Sequence, residues 1–135
     1  MESKKETMTI LVVEPGKYPY RKEIPSTLEE MQKVVGGLSE IIYPWQNSPA
    51  ALICNDEGKS FMPFNRYLPS IKDIICGTFF ICDGSGDDLQ TLGEKDMAWC
   101  EQELHSPEFF WAQNGGLFIY RCRPEEYDSL MTKQK

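Results

Sequence analysis

The chain has 135 residues, a net charge of -7, and 41% hydrophobic and 12% aromatic side chains, which suits one domain that buries its own core without metal or disulfide staples. No apolar run approaches the roughly 20 residues of a bilayer span. The apolar stretch Met8 to Val13, behind a charged N-terminus, is too short for a signal-peptide core, so the expected protein is soluble and cytoplasmic.

Charge is unevenly placed. Residues 1–82 carry 9 basic and 10 acidic side chains, whereas residues 83–135 carry 5 and 11. An acidic C-terminal part repels phosphate backbones, so nucleic acid is not an expected partner, and solubility or a basic partner explains the balance. The five cysteines, Cys54, Cys76, Cys82, Cys100 and Cys122, are odd in number and form no CxxC pair. Free, mostly buried thiols are expected in place of a disulfide framework or a zinc site, which needs close-spaced ligand pairs. No metal and no cofactor is assigned.

In chain order, residues 1–7 are expected to be a flexible N-terminus and residues 8–135 a single domain, with 83–135 as its acidic, aromatic extension. The β-branched run ending at Val13 reads as a central strand. Glu14-Pro15-Gly16-Lys17 is turn chemistry, so Tyr18 to Ile24 returns as the second arm of a hairpin, on an edge because Pro19 cannot donate to a ladder. Thr27-Leu28-Glu29-Glu30, or Ser26 with Glu29, reads as a helix-starting capping box. Leu28, Met31 and Val35 then mark one buried face, and Gly36-Gly37 ends the helix.

Leu38 to Tyr43 reads as a half-buried strand stopped by Pro44. Ala50 to Cys54 and Lys59 to Met62 flank Asn55-Asp56-Glu57-Gly58 as the arms of a hairpin. Asn65 to Pro69 has no clear period and reads as an irregular connection. Asp73 to Cys82, the most apolar run, reads as one central strand in which Gly77 marks a bulge or a close backbone approach. Glu94 to Leu104 is the second helix, with Met97, Cys100 and Leu104 on one face. Leu117 to Cys122 is a last strand, and Pro124 to Met131 a terminal helical turn with proline at its first position. The expected class is α+β, a single domain with a mainly antiparallel or mixed sheet of five to six strands and two principal helices at about 27–36 and 94–104.

The succession Ile10-Leu11-Val12-Val13-Glu14-Pro15-Gly16, Thr27-Leu28-Glu29 through Val35-Gly36-Gly37, Ala51 to Lys59, Pro63-Phe64-Asn65-Arg66 and Asp73 to Phe80 resembles the domain-of-unknown-function family 3846, over about residues 8–104. That family comprises small proteins of bacteria, their phages and mobile elements. The resemblance implies no activity. Its recurring pattern falls here on Gly36, Gly37, Asn55, Glu57, Gly58, Asn65 and Arg66, and the chain departs from it after Cys82.

Asn65-Arg66 is the most interesting polar pair, since a guanidinium fork suits a carboxylate or phosphate and an asparagine can fix it. With Tyr43, Trp45 and Tyr67 it makes a candidate ligand pocket, although polar loop residues more often satisfy backbone carbonyls. A thiol nucleophile needs a base, and the only histidine, His105, sits at a helix end, where a surface role suits it better. Gly84-Ser85-Gly86 lacks the Lys-Ser/Thr of a phosphate loop, and its aspartates lack EF-hand spacing. Phe109, Phe110 and Trp111 form either core or an exposed anchor for a partner. Asp87, Asp88, Glu101, Glu103 and Glu108 read as a solvated face or, alternatively, as a DNA mimic of antirestriction type. The leading expectation is a non-enzymatic accessory protein that binds another protein. No catalytic residue is assigned, and the oligomeric state is left open.

Overall fold

The computed structural model describes residues 6–133. The flexible N-terminus expected over residues 1–7 lies, up to residue 5, outside the described residues, and Thr7 opens the first strand.

The main sheet has five strands in the order β2-β1-β7-β4-β3 and is antiparallel throughout. Strand β1 (Thr7–Val13) and edge strand β2 (Tyr20–Pro25) form one hairpin around the Glu14–Lys17 turn. Strands β3 (Ser39–Ile42) and β4 (Ala50–Asn55) form a second. Strand β7 (Phe79–Asp83) is inserted between them, so that Ile81 faces Leu11 on one side and Leu52 on the other. The centre is therefore β7, with β1 as its neighbour. Because β1, β4 and β7 are buried on both faces, their residues read as continuous apolar runs with little alternation.

One face carries Met8, Ile10, Val12, Ala51, Ile53, Phe80 and Cys82 beneath helix α1 (Leu28–Val35), which buries Met31 and Val35 there. Thr27 is the N-cap, its hydroxyl accepting from the Glu30 amide, and Gly36 ends the helix at φ 81°. The other face carries Leu11, Val13, Leu52, Phe79 and Ile81 beneath helix α3 (Glu94–Glu103), which contributes Met97 and Cys100. Arg21 on β2 staples this helix to the sheet edge, with bidentate contacts of 2.7–2.9 Å to Glu94 and 2.8 Å to Glu101.

Several expectations are corrected, the first being Leu28, which does not share the buried face of α1 with Met31 and Val35 but is 62% exposed. Lys59 to Met62 is not a hairpin arm, because Gly58–Phe61 forms a single helical turn, α2. The Asn55 side chain diverts the chain there: its oxygen accepts from the Glu57 amide at 2.7 Å while its amide donates to the Val35 carbonyl at the end of α1. Asn65 to Leu68 is not irregular but lies in strand β5 (Phe64–Leu68), paired with β6 (Asp73–Cys76) in a separate small sheet. Asp73 to Cys82 is accordingly two strands in two sheets. The switch is at Gly77, whose φ of 79° and close approach to the Met62 side chain, whose Sδ an added Cβ would strike, admit only glycine without strain.

The C-terminal residues build a third sheet, a ribbon of β8 (Glu108–Gln113) and β9 (Gly116–Arg121) joined at Asn114-Gly115, both with positive φ. Helix α4 (Pro124–Lys133) packs against it, and Phe109, Cys122 and Tyr127 form a small core of their own. The terminal helical turn is thus a full helix. The α+β class and antiparallel character hold.

Candidate interaction surface

Asn65 and Arg66 are 0% and 1% exposed. Consecutive strand residues normally face opposite ways, but the register of β5 slips between Phe64 and Arg66, and this bulge turns both side chains inward. The Asn65 amide donates to Val13 O at 2.9 Å and Gly77 O at 2.8 Å, tying the end of β1 to the switch between β6 and β7. Arg66 donates through Nε to Leu104 O at 3.1 Å, through one terminal nitrogen to Asn65, and through the other to Lys17 O at 2.8 Å. Helix α3 has no basic residue in its last turn, so Arg66 supplies from another element the positive charge that suits its C-terminal carbonyls. Burial pushes the Arg66 pKa down to about 10, against the attraction of Glu108, which leaves it charged at neutral pH.

The cleft beside Arg66 joins it to Trp45 and Tyr67 but not to Tyr43, whose hydroxyl donates to Gly84 O at 2.9 Å. At about 120 Å³ it has room for a few waters, well below the roughly 300 Å³ at which small-molecule sites begin. Trp45 instead meets Trp99 edge to face at 5.2 Å, over the outer side of α3.

The reactive groups are similarly engaged. All five cysteines are free and buried. Desolvation pushes the thiols up, Cys54 to about 11 and Cys82 and Cys100 to about 12, so none is a thiolate at neutral pH. His105 stacks on Tyr18 at 4.6 Å, at the end of α3. Among the described residues no three His, Cys, Asp or Glu side chains gather as a metal site. Of the acidic residues, Glu108 is buried and accepts from the Tyr67 amide, and Glu101 is held by Arg21. Asp83 folds over its own loop to accept from Ser85.

The ribbon differs from all of this. Phe109, Trp111, Phe118 and Tyr120 alternate with Phe110, Leu117 and Ile119, so both of its faces are apolar. Trp111 stacks on Phe109 at 6.1 Å and on Phe118 at 5.4 Å, while Phe110 meets Phe64 edge to face at 5.2 Å. Phe109 is buried, whereas Phe110 and Trp111 are half-buried. Along β9 Leu117 is 46% exposed, Phe118 46%, Ile119 38% and Tyr120 45%, a contiguous run of large apolar side chains of the kind that marks interaction sites. Between the ribbon and α4 lies a groove of about 520 Å³ lined by Phe109, Trp111, Tyr120 and Leu130, with Glu126 and Lys133 at its rim. Sequence reasoning found Phe109 to Trp111 but missed Leu117 to Tyr120, which read as an ordinary strand. The signal was the lack of any polar residue in that strand between Gly116 and Arg121.

Fold and surface together define a small α+β domain in which Asn55, Asn65 and Arg66 are internal fastenings and whose C-terminal addition carries a contiguous exposed apolar run from Leu117 to Tyr120. The chain belongs to a family described only as a domain of unknown function, DUF3846, which matches residues 8–105. The match therefore ends just before the ribbon begins. No curated protein matches the chain, and no solved structure does.

Proposed function

We infer that this is a non-enzymatic accessory protein that acts by binding another protein, and that the groove between the ribbon and α4 is where an apolar segment of that partner sits. The observation that carries this reading is the groove itself, an aromatic-lined channel of about 520 Å³ beside the exposed run Leu117 to Tyr120, in a protein whose Asn65 and Arg66 are bonded internally. The reading places the protein in the cytoplasm, and the family resemblance suits an origin in a phage or mobile element. Among the described residues no helix is long and apolar enough to cross a membrane. A ligand or enzymatic site at Asn65 and Arg66 is the weaker alternative, because both side chains are fully bonded inside and the adjoining cleft is small. An acidic DNA mimic is weaker still, with Glu101 and Glu108 drawn into internal contacts.

The test is affinity capture with the full chain and with Trp111→Ser and Leu130→Asp variants that keep the wild-type circular dichroism. A protein retained by the wild type and lost with both variants supports the reading. Capture of nothing, or of the same proteins by all three baits, refutes it.

A further inference from the structure

The hairpin fixes which backbone groups of β9 are free. The two-residue turn closes on Gln113 and Gly116, and hydrogen-bonded pairs then alternate through Trp111 with Phe118 and Phe109 with Tyr120, ending in the bond from Cys122 N to Pro107 O at 2.9 Å. The N–H and C=O groups of Leu117, Ile119 and Arg121 therefore point away from β8, along an edge that pairs with no strand among the described residues.

Proteins usually guard such edges with charge, proline or shortness. The main sheet does so: β2 carries Arg21, Lys22 and Glu23, and β3 has four residues, Glu40 among them. In β9 the only charged residue is Arg121 at its end. The ribbon from Glu108 to Arg121 contains one acid and one base, so it is locally neutral in a chain of net charge -7. Two copies repel one another elsewhere and meet without penalty here.

We propose that the outer edge of β9 pairs antiparallel with β9 of a second copy about a twofold axis at Ile119. It rests on the reading of the ribbon as an interaction surface, and it uses the strand edge where that reading uses the groove. In this register Ile119 faces Ile119, Phe118 lies beside Tyr120 of the other copy, and Arg121 falls opposite Leu117, never opposite its own counterpart. Aromatic side chains thus neighbour aromatic ones on one face and aliphatic ones meet on the other, pairings that each stabilise a sheet. The far side of the ribbon is taken by β5, through the Tyr67 amide to Glu108 and the contact of Phe64 with Phe110. Growth therefore stops at two copies. The four exposed side chains offer roughly 350 Å² per copy, which with the strand edge makes a small interface of the reversible class, in the micromolar range.

Sedimentation equilibrium of the full chain from about 1 to about 500 µM tests this. The wild type is expected to pass from monomer to dimer. Ile119→Lys is expected to be monomeric throughout, with unchanged circular dichroism. Leu117→Glu and Leu117→Lys put charges of equal burial opposite Arg121, so the register predicts that the first dimerises at least about threefold more tightly than the second. A wild type that stays monomeric, assembly beyond the dimer, or equal association of the two Leu117 variants overturns the proposal. A monomeric protein that still captures a partner through Trp111 ends this inference and leaves the binding reading standing. A dimer that captures nothing does the reverse.

Discussion

Arg66 shows how a residue that attracts attention in the sequence serves the interior. Replacing it with methionine keeps the stem but strands the carbonyls of Leu104, Lys17 and Asn65, and the expected loss is about 3 kcal/mol or more, read as a lowered urea midpoint. Arg66→Lys keeps the charge but not the fork and is expected to recover only part of it. Glu108 behaves in the opposite sense to a surface carboxylate, because burial raises its pKa despite the Tyr67 amide and the nearby arginines. A raised folded value means that its contribution is complete below the unfolded pKa of about 4.3 and is lost as pH rises through the folded one. Glu108→Gln should therefore gain stability relative to wild type as pH rises above the unfolded value of about 4.3, as followed by denaturation midpoints. Asp73, held down by its Lys59 contact at 2.7 Å, contributes above that unfolded range and loses its share on acidification. The thiols give a simpler check: with desolvation raising all five, a chromogenic disulfide reagent at about pH 8 should find none in the native protein and all of them after unfolding.

At the scale of elements, the sequence was legible where one local rule decides the outcome. The Thr27 cap, the Gly36 stop, the edge position of β2 and the α3 face of Met97, Cys100 and Leu104 all follow from spacing and residue type. It was illegible where a tertiary partner decides. A bulge at Asn65 is defined by its carbonyl targets on β1 and at Gly77, which five residues of β5 cannot announce. Likewise β6 and β7 read as one strand because Ile75, Cys76, Phe79 and Phe80 are all buried, and only Gly77 betrayed the change of sheet. The β1–β2 turn has a similar hidden partner: at Gly16, with φ 76°, an added Cβ would run into the Tyr127 ring of α4. Gly16→Ala is expected to cost about 2 kcal/mol through backbone strain and a displaced ring. Amide exchange should show α4 losing protection before the main sheet does.

For the whole molecule, the residues that carry the family resemblance and those that carry the proposed function lie in different places. Gly36, Asn55, Gly58, Asn65 and Arg66 join elements to one another: Asn55 closes α1 onto β4, Gly58 admits the Cys76 carbonyl 2.8 Å from an added Cβ, and Arg66 locks α3. The ribbon and α4 lie beyond the matched residues 8–105 and hold the contiguous run of exposed apolar side chains from Leu117 to Tyr120. A family signature can thus identify a fold while leaving its binding specificity to an appended segment. The place of β7 also has a consequence in time. The β1–β2 and β3–β4 hairpins are local and close within microseconds, but neither gains its sheet neighbour until β7, which follows both in the chain, reaches them. The barrier to folding should therefore be the loop closure that delivers Ile81 between Leu11 and Leu52. In stopped-flow experiments on the monomer, Ile81→Val should chiefly slow folding and Leu130→Ala chiefly speed unfolding. The reverse pattern would locate the start of folding in the C-terminal addition. With the order expected here, the apolar ribbon is among the last segments to dock, and a newly made chain carries it exposed while its core is already closing.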